Sequence, residues 1–160
     1  MFYVADNGIK LIRGDEKMIL FNELYQTQED KIMFMHGLIR LAKADGIVDE
    51  TELDYFKQAS YNMGIEPDAV EQLYIELTTG NVELDYKEMS FDSKKKSLFF
   101  LREAIQLCYI DSEYSDEEQL EIRNIANELD ISFDAVDKIE AWVLRGFEWQ
   151  KEGELLLDLE

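Results

Sequence analysis

The residues of this chain best suited to chemistry are two sets of carboxylates that recur at one spacing. The first lies in Ala44-Asp45-Gly46-Ile47-Val48-Asp49-Glu50-Thr51-Glu52, the second in Ile110-Asp111-Ser112-Glu113-Tyr114-Ser115-Asp116-Glu117-Glu118. Hard oxygen donors gathered this closely suit a divalent cation such as calcium or magnesium. The candidate ligands are Asp45, Asp49 and Glu52 in the first turn, and Asp111 and Glu118 in the second. A purely structural use competes for some of them. Asp49 and Ser115 occupy matching positions, and each is followed three residues later by a glutamate, the signature of a capping box at a helix start. Asp45 and Asp111 fall outside that explanation. Each stands at a helix exit, where the dipole disfavours negative charge. Backbone N–H groups across the turn or a bound cation would each compensate, and the sequence leaves both open. The turns are not EF-hands, which need Gly at position six and Glu at position twelve. Counted from Asp45 those places hold Glu50 and Phe56; counted from Asp111 they hold Asp116 and Ile122.

The other reactive residues form no complete catalytic centre. His36, the only histidine, sits at helical spacing among Ile32, Ile39 and Arg40, and reads as a packed or edge residue. Cys108, the only cysteine, lies among Ile105, Leu107 and Tyr109 as a small core residue, so there is no disulfide and no CxxC site. No phosphate-binding glycine loop is present. Paired carboxylates could serve a metal-dependent hydrolase, but that would require a deep cleft where acids from different helices converge. The expectation is a protein without enzymatic activity and with no required cofactor.

The charge points the same way. Thirty-six acidic against sixteen basic residues give a formal net charge of −20. Such a surface repels nucleic acid and anionic lipid and favours basic protein partners. Lys94, Lys95 and Lys96 are the only basic run. The N-terminus lacks the basic start and apolar stretch of a signal peptide, and no apolar run approaches the ~20 residues that span a bilayer. A cytoplasmic protein without direct membrane insertion is expected.

The elements that must position these residues are helical. Apolar residues recur at a 3.6-residue period almost throughout, in stretches of about 16–25, 28–44, 50–63, 67–80, 92–110, 116–129 and 133–144, with a last segment running to 157. Ile32, Met35, Ile39 and Ala42 share one face; Leu53, Phe56, Ala59 and Met63 share another. Pro67 suits a first helical position. A short β-hairpin fits the start, around Asp6-Asn7-Gly8. Shifting the chain by 66 residues aligns a segment beginning at Leu38 with one beginning at Ala104 without a gap, and eight positions are identical, Asp45/Asp111 and Glu52/Glu118 among them. The sequence therefore predicts one all-α domain over 1–160. Two related helix–turn–helix units, about 31–80 and 97–145, would pack around a pseudo-twofold into a helical bundle.

Two acidic turns of this form, A-D-G-x-aliphatic followed by a glutamate and I-D-S-x-Y-S-D-E-E one repeat later, resemble those of the tellurite-resistance protein TerB and its TerB-like relatives. That group takes in the N-terminal domain of a membrane-anchored DnaJ-type co-chaperone. The likeness covers about Lys31 to Val143 and rests on Asp45, Gly46, Glu52, Asp111 and Glu118. It implies an all-α fold, a cytoplasmic bacterial protein without established enzymatic activity, acidic side chains suggested to bind metal, and a stress or tellurite response worked through protein partners. Ser112 departs from the pattern where a second glycine would stand, and the chain has additions at both ends. The C-terminal Trp142, Phe147 and Trp149, followed by Leu155, Leu156, Leu157 and Leu159, admit two uses: closing the core across both units, or exposure as a homodimer or partner surface.

Overall fold

The computed structural model describes residues 21–44, 46, 48, 50–79, 87–110 and 114–159, without the side chains of 51, 52 and 55. The hairpin expected near Asn7 lies outside these residues. After a helical turn at 21–24 come six helices: α1 Gln28–Ala44, α2 Glu50–Asn62, α3 Pro67–Thr78, α4 Lys94–Ile110, α5 Asp116–Glu128 and α6 Phe133–Leu155, with a final 3₁₀ turn Leu156–Asp158. No strand occurs among the described residues. The fold is all-α.

Hydroxyl side chains open most of these helices. Thr27 Oγ1 accepts from the Asp30 N–H, Ser93 Oγ from Lys96, Ser115 Oγ from Glu118 and Ser132 Oγ from Ala135. Each satisfies an N–H that a helix start leaves without a partner. Pro67 opens α3, where its missing N–H costs nothing. Helices α4, α5 and α6 start 66 residues after α1, α2 and α3 respectively. The breaks after α2 and α5 share one pattern of backbone hydrogen bonds. Ile65 N–H donates to Ser60 O and Gly64 N–H to Tyr61 O, while Ile131 donates to Ala126 and Asp130 to Asn127. Gly64 and Asp130 both take a positive φ, 74° and 54°. That backbone is cheap for glycine and tolerable for aspartate.

Helix α1 packs against α3, α4 and α5, and α4 packs against α1, α5 and α6. The sequence periodicity gives α1 one apolar face. In the structure every residue from Met33 to Ala42 is buried. The reason is position: with neighbours on several sides, α1 has no solvent face along its middle. His36 and Arg40 are therefore carried into the interior with the apolar residues. At one end of this core Phe21, Tyr25, Phe34, Phe91, Phe99 and Phe100 form a cluster whose neighbouring ring centroids lie 4.9–6.0 Å apart. Cys108 is buried in the core as expected.

Tyr25 ties this cluster to α4 by donating its hydroxyl to Lys96 O at 2.6 Å. Burial first, then the charges of Asp30 and Glu103, push the hydroxyl far above its ordinary value. The unfolded tyrosine loses its proton near pH 10 while the folded one keeps it. Its contribution to stability is thus complete below about pH 10 and declines above it, by up to about 1.4 kcal/mol per pH unit. Lys57, Lys96 and Lys138 are raised as well and act with the same sign. Urea midpoints measured from neutral pH into the alkaline range should fall for the wild type. Tyr25→Phe should fall less steeply; an unchanged slope would remove Tyr25 from the account.

Candidate functional site

The second acidic turn shows what one of its carboxylates does. Ser115 Oγ accepts from the Glu118 N–H at 3.2 Å, and Glu118 Oε2 accepts from the Ser115 N–H at 3.0 Å. This is the capping box that the sequence offered as the structural use. Glu118 is only 2% exposed, so its carboxylate is a buried cap that fits poorly as a ligand for an ion arriving from solvent. Asp45, Asp49 and Asp111 and the side chain of Glu52 lie outside the described residues. Gly46 follows α1 with φ 116°, a backbone that favours glycine after a helix. No group of three His, Cys, Asp or Glu side chains is arranged to hold a metal among the described residues.

A second concentration of charge crosses the interior. Arg40 on α1 reaches α5, its Nε donating to Glu121 Oε1 at 2.6 Å. Its Nη1 and Nη2 form a fork on Glu128 Oε2 and Oε1 at 2.6 and 3.0 Å. Glu128 Oε2 also accepts from the Met89 N–H at 2.8 Å, which ties the segment ahead of α4 to the same carboxylate. Burial alone would pull the Arg40 guanidinium down. The hydrogen bonds and charges of Glu128 and Glu121 outweigh it and hold the group above its ordinary value. Arg40 lies four residues before the first acidic turn and Glu121 three residues after Glu118, and the cluster braces helices beside those turns.

His36 behaves similarly. Its Nδ1 meets Glu76 Oε1 on α3 at 2.5 Å, and its Nε2 meets Lys87 O at 2.9 Å. A carbonyl only accepts, so Nε2 carries a proton. With both ring nitrogens engaged and the residue 8% exposed, His36 is a packed histidine linking α1, α3 and the segment at 87. An open cleft beside the start of α1 is lined by Glu29, Asp30, Lys87 and Asp92 among others. Lys96 bridges two of its carboxylates, Asp30 at 2.6 Å and Asp92 at 2.8 Å.

The most unusual surface is the end of α6. The sequence suggests a segment ending at 144 and a separate one after it. The structure has a single helix of 23 residues running through Gly146 and Gly153. It packs against α4 and α5, burying Val136 and Val143. Phe147 turns inward, half-buried, with its ring 6.2 Å from that of Tyr109. Trp142 and Trp149 turn outward, 47% and 69% exposed. From residue 148 to 159 every position is exposed, Leu155, Leu156, Leu157 and Leu159 included. Of the three aromatic residues offered as a partner surface, Trp142 and Trp149 are exposed, whereas Phe147 is half-buried against Tyr109.

No family model and no curated protein matches the chain. Among solved structures, it is similar to the crystal structure of a tellurite resistance protein from Nostoc punctiforme. The TM-score is 0.54 and the identity 25%, over 89% of this chain and 92% of that one. The chain has a TerB-like fold.

Within that TerB-like fold, sequence reasoning overlooked the Arg40 cluster and the projection of α6. A signal existed for the first: Arg40 stands between Ile39 and Leu41 in an otherwise apolar stretch, where a charge must be paired or reach water. For the second, the apolar residues after 154 were visible, but the continuity of the helix beneath them was not. No described helix is long and apolar enough to cross a membrane, so the exposed leucines do not belong to a spanning helix.

Proposed function

We propose that this chain is a non-enzymatic, acidic TerB-like module that works in the cytoplasm through protein–protein contacts, in a tellurite or stress response, with the exposed end of α6 as its contact surface. One observation carries the reading. The end of α6 and the residues after it leave Trp149, Leu155, Leu156, Leu157 and Leu159 exposed, in a stretch where every position from 148 to 159 faces solvent. Isolated exposed apolar residues need no explanation, whereas several gathered at one helix end mark an interaction site, and tryptophan is among the residues that carry most binding energy. The net charge of −20 supports a protein partner over nucleic acid or anionic lipid. The tellurite connection is supported by the fold shared with the Nostoc protein.

The test is complementation of a strain that lacks the gene, challenged with tellurite. The wild-type chain should restore growth. Trp149→Ser with Leu156→Ser should not, although it melts at the wild-type temperature, because neither side chain packs on the core. Full protection by the double variant would remove α6 as the contact surface. Failure of the wild type itself would remove the tellurite response.

A further inference from the structure

Trp142, Gly146, Trp149 and Gly153 follow one another at spacings of four, three and four residues, and Leu156 continues the line three further on. That is the heptad spacing of a helix–helix seam. All five positions are exposed. The seam alternates large and small, and the small positions are unexplained by the described residues of one chain. A Cβ added at Gly146 or Gly153 would meet nothing within 4 Å. Glycine inside a helix is destabilising relative to alanine, and its usual justification is the close approach of another backbone or side chain. None of the described residues makes that approach.

The alternation is self-complementary in one orientation. The pairs Trp142/Gly153 and Gly146/Trp149 are both centred between Phe147 and Glu148. Two copies of α6 laid antiparallel about that point place each tryptophan over a glycine of the other copy, four times along the contact. A parallel pair would instead stack tryptophan on tryptophan and leave voids between the glycines. Alternation of large and small across facing positions is what lets two helices interlock. Charge agrees with the antiparallel choice. Arg145 and Glu152 flank the same seam, and this alignment brings Arg145 of each copy beside Glu152 of the other. The body of each chain, with its large negative charge, then lies at the opposite end of the helix pair from its partner. Every residue from 148 to 159 is exposed, so the second helix has an open face to lie on.

We infer that α6 is a self-association surface, and that the partner seated on it is a second copy of this chain, antiparallel, with Trp142 and Trp149 entering the spaces left by Gly153 and Gly146. This rests on the reading of α6 as the contact surface and names its occupant. The seam from Trp142 to Gly153 is about 17 Å long at 1.5 Å per residue. A contact of that size belongs to the weaker class of interfaces.

Sedimentation velocity of the full chain from micromolar to millimolar concentration, at physiological ionic strength, tests it. A reversible monomer–dimer equilibrium is expected. Gly146→Leu and Gly153→Leu should each weaken it at least tenfold, while thermal melting at dilute, monomeric concentration stays level or rises, since leucine is the better helix former and has open space. A merely structural role for the glycines would not separate those two readouts. Arg145→Glu should weaken the dimer as well, and adding Glu152→Arg to the same chain should restore it. A monomer at every concentration overturns the inference, as does a dimer indifferent to Gly146→Leu. If the chain stays monomeric while complementation still requires Trp149 and Leu156, self-association fails and the contact reading stands.

Discussion

Arg40→Ala is expected to lower the unfolding free energy by about 3–5 kcal/mol, the usual cost of removing one partner from a buried ion pair. Arg40 is 8% exposed, and the side chains of Glu121 and Glu128 are 16% and 13% exposed. Removing the guanidinium leaves two carboxylates facing each other and a cavity, with little water to solvate either. The loss reaches beyond α1. Glu128 Oε2 also receives the Met89 N–H, so a carboxylate that moves to find water pulls the segment before α4 away from the core. Urea unfolding of the variant gives the size of the effect. A second chain separates the charge from the packing: Arg40→Met with Glu121→Leu and Glu128→Gln keeps the volume and an acceptor for Met89, and removes all three charges. That chain should recover most of the stability, because apolar replacement of a whole buried ionic cluster is commonly neutral or stabilising. If Arg40→Ala costs less than ~1 kcal/mol, the range of an exposed pair, then water reaches this cluster and its bracing role is wrong.

The same cluster shows where the sequence could be read and where it could not. Helix starts were legible because they depend on local chemistry. Ser115 with Glu118, and Pro67, specify a helix entry within four residues, and α5 and α3 begin there. Burial of α1 on all sides could not be read, because periodicity records which residues avoid water and assigns charged ones to the surface. Arg40 satisfies its charge by reaching Glu121 and Glu128, 81 and 88 residues away, and no window-sized pattern contains that pairing. The end of α6 was misread for the converse reason. Gly146 and Gly153 look like breaks in a local propensity argument, yet the helix runs through both, since a glycine weakens a helix without obliging it to end. Phe147 and Trp149 are two residues apart, which on a helix sets them on different faces, and the continuity of α6 decides that one goes inward and the other out.

Glycine also supplies the second large effect. Gly37 lies in the middle of α1, in the one stretch where α1 passes the Phe100 ring on α4. A Cβ at this position would overlap Phe100 Cζ and stand 2.7 Å from Phe100 Cε2 and 2.8 Å from Met89 Cε. Neither neighbour is free to swing aside. Phe100 is 0% exposed and lies edge-on to Phe34 with centroids 5.3 Å apart. Met89 is also fully buried, and its N–H is held by Glu128. Alanine would improve the helix by up to about 1 kcal/mol relative to glycine. Against that, forcing an extra carbon into a filled core typically costs about 1–3 kcal/mol. Gly37→Ala should therefore destabilise despite alanine's propensity, and Gly37→Val should do so more severely. Gly146→Ala, with open space around it, should act in the opposite direction in the monomer. Combining Gly37→Ala with Phe100→Leu should cost less than the sum of the two single changes, because the smaller side chain vacates the space that the new methyl needs. Strict additivity in that cycle, or a Gly37→Ala chain more stable than wild type, would show that α1 and α4 are not pressed together at this point.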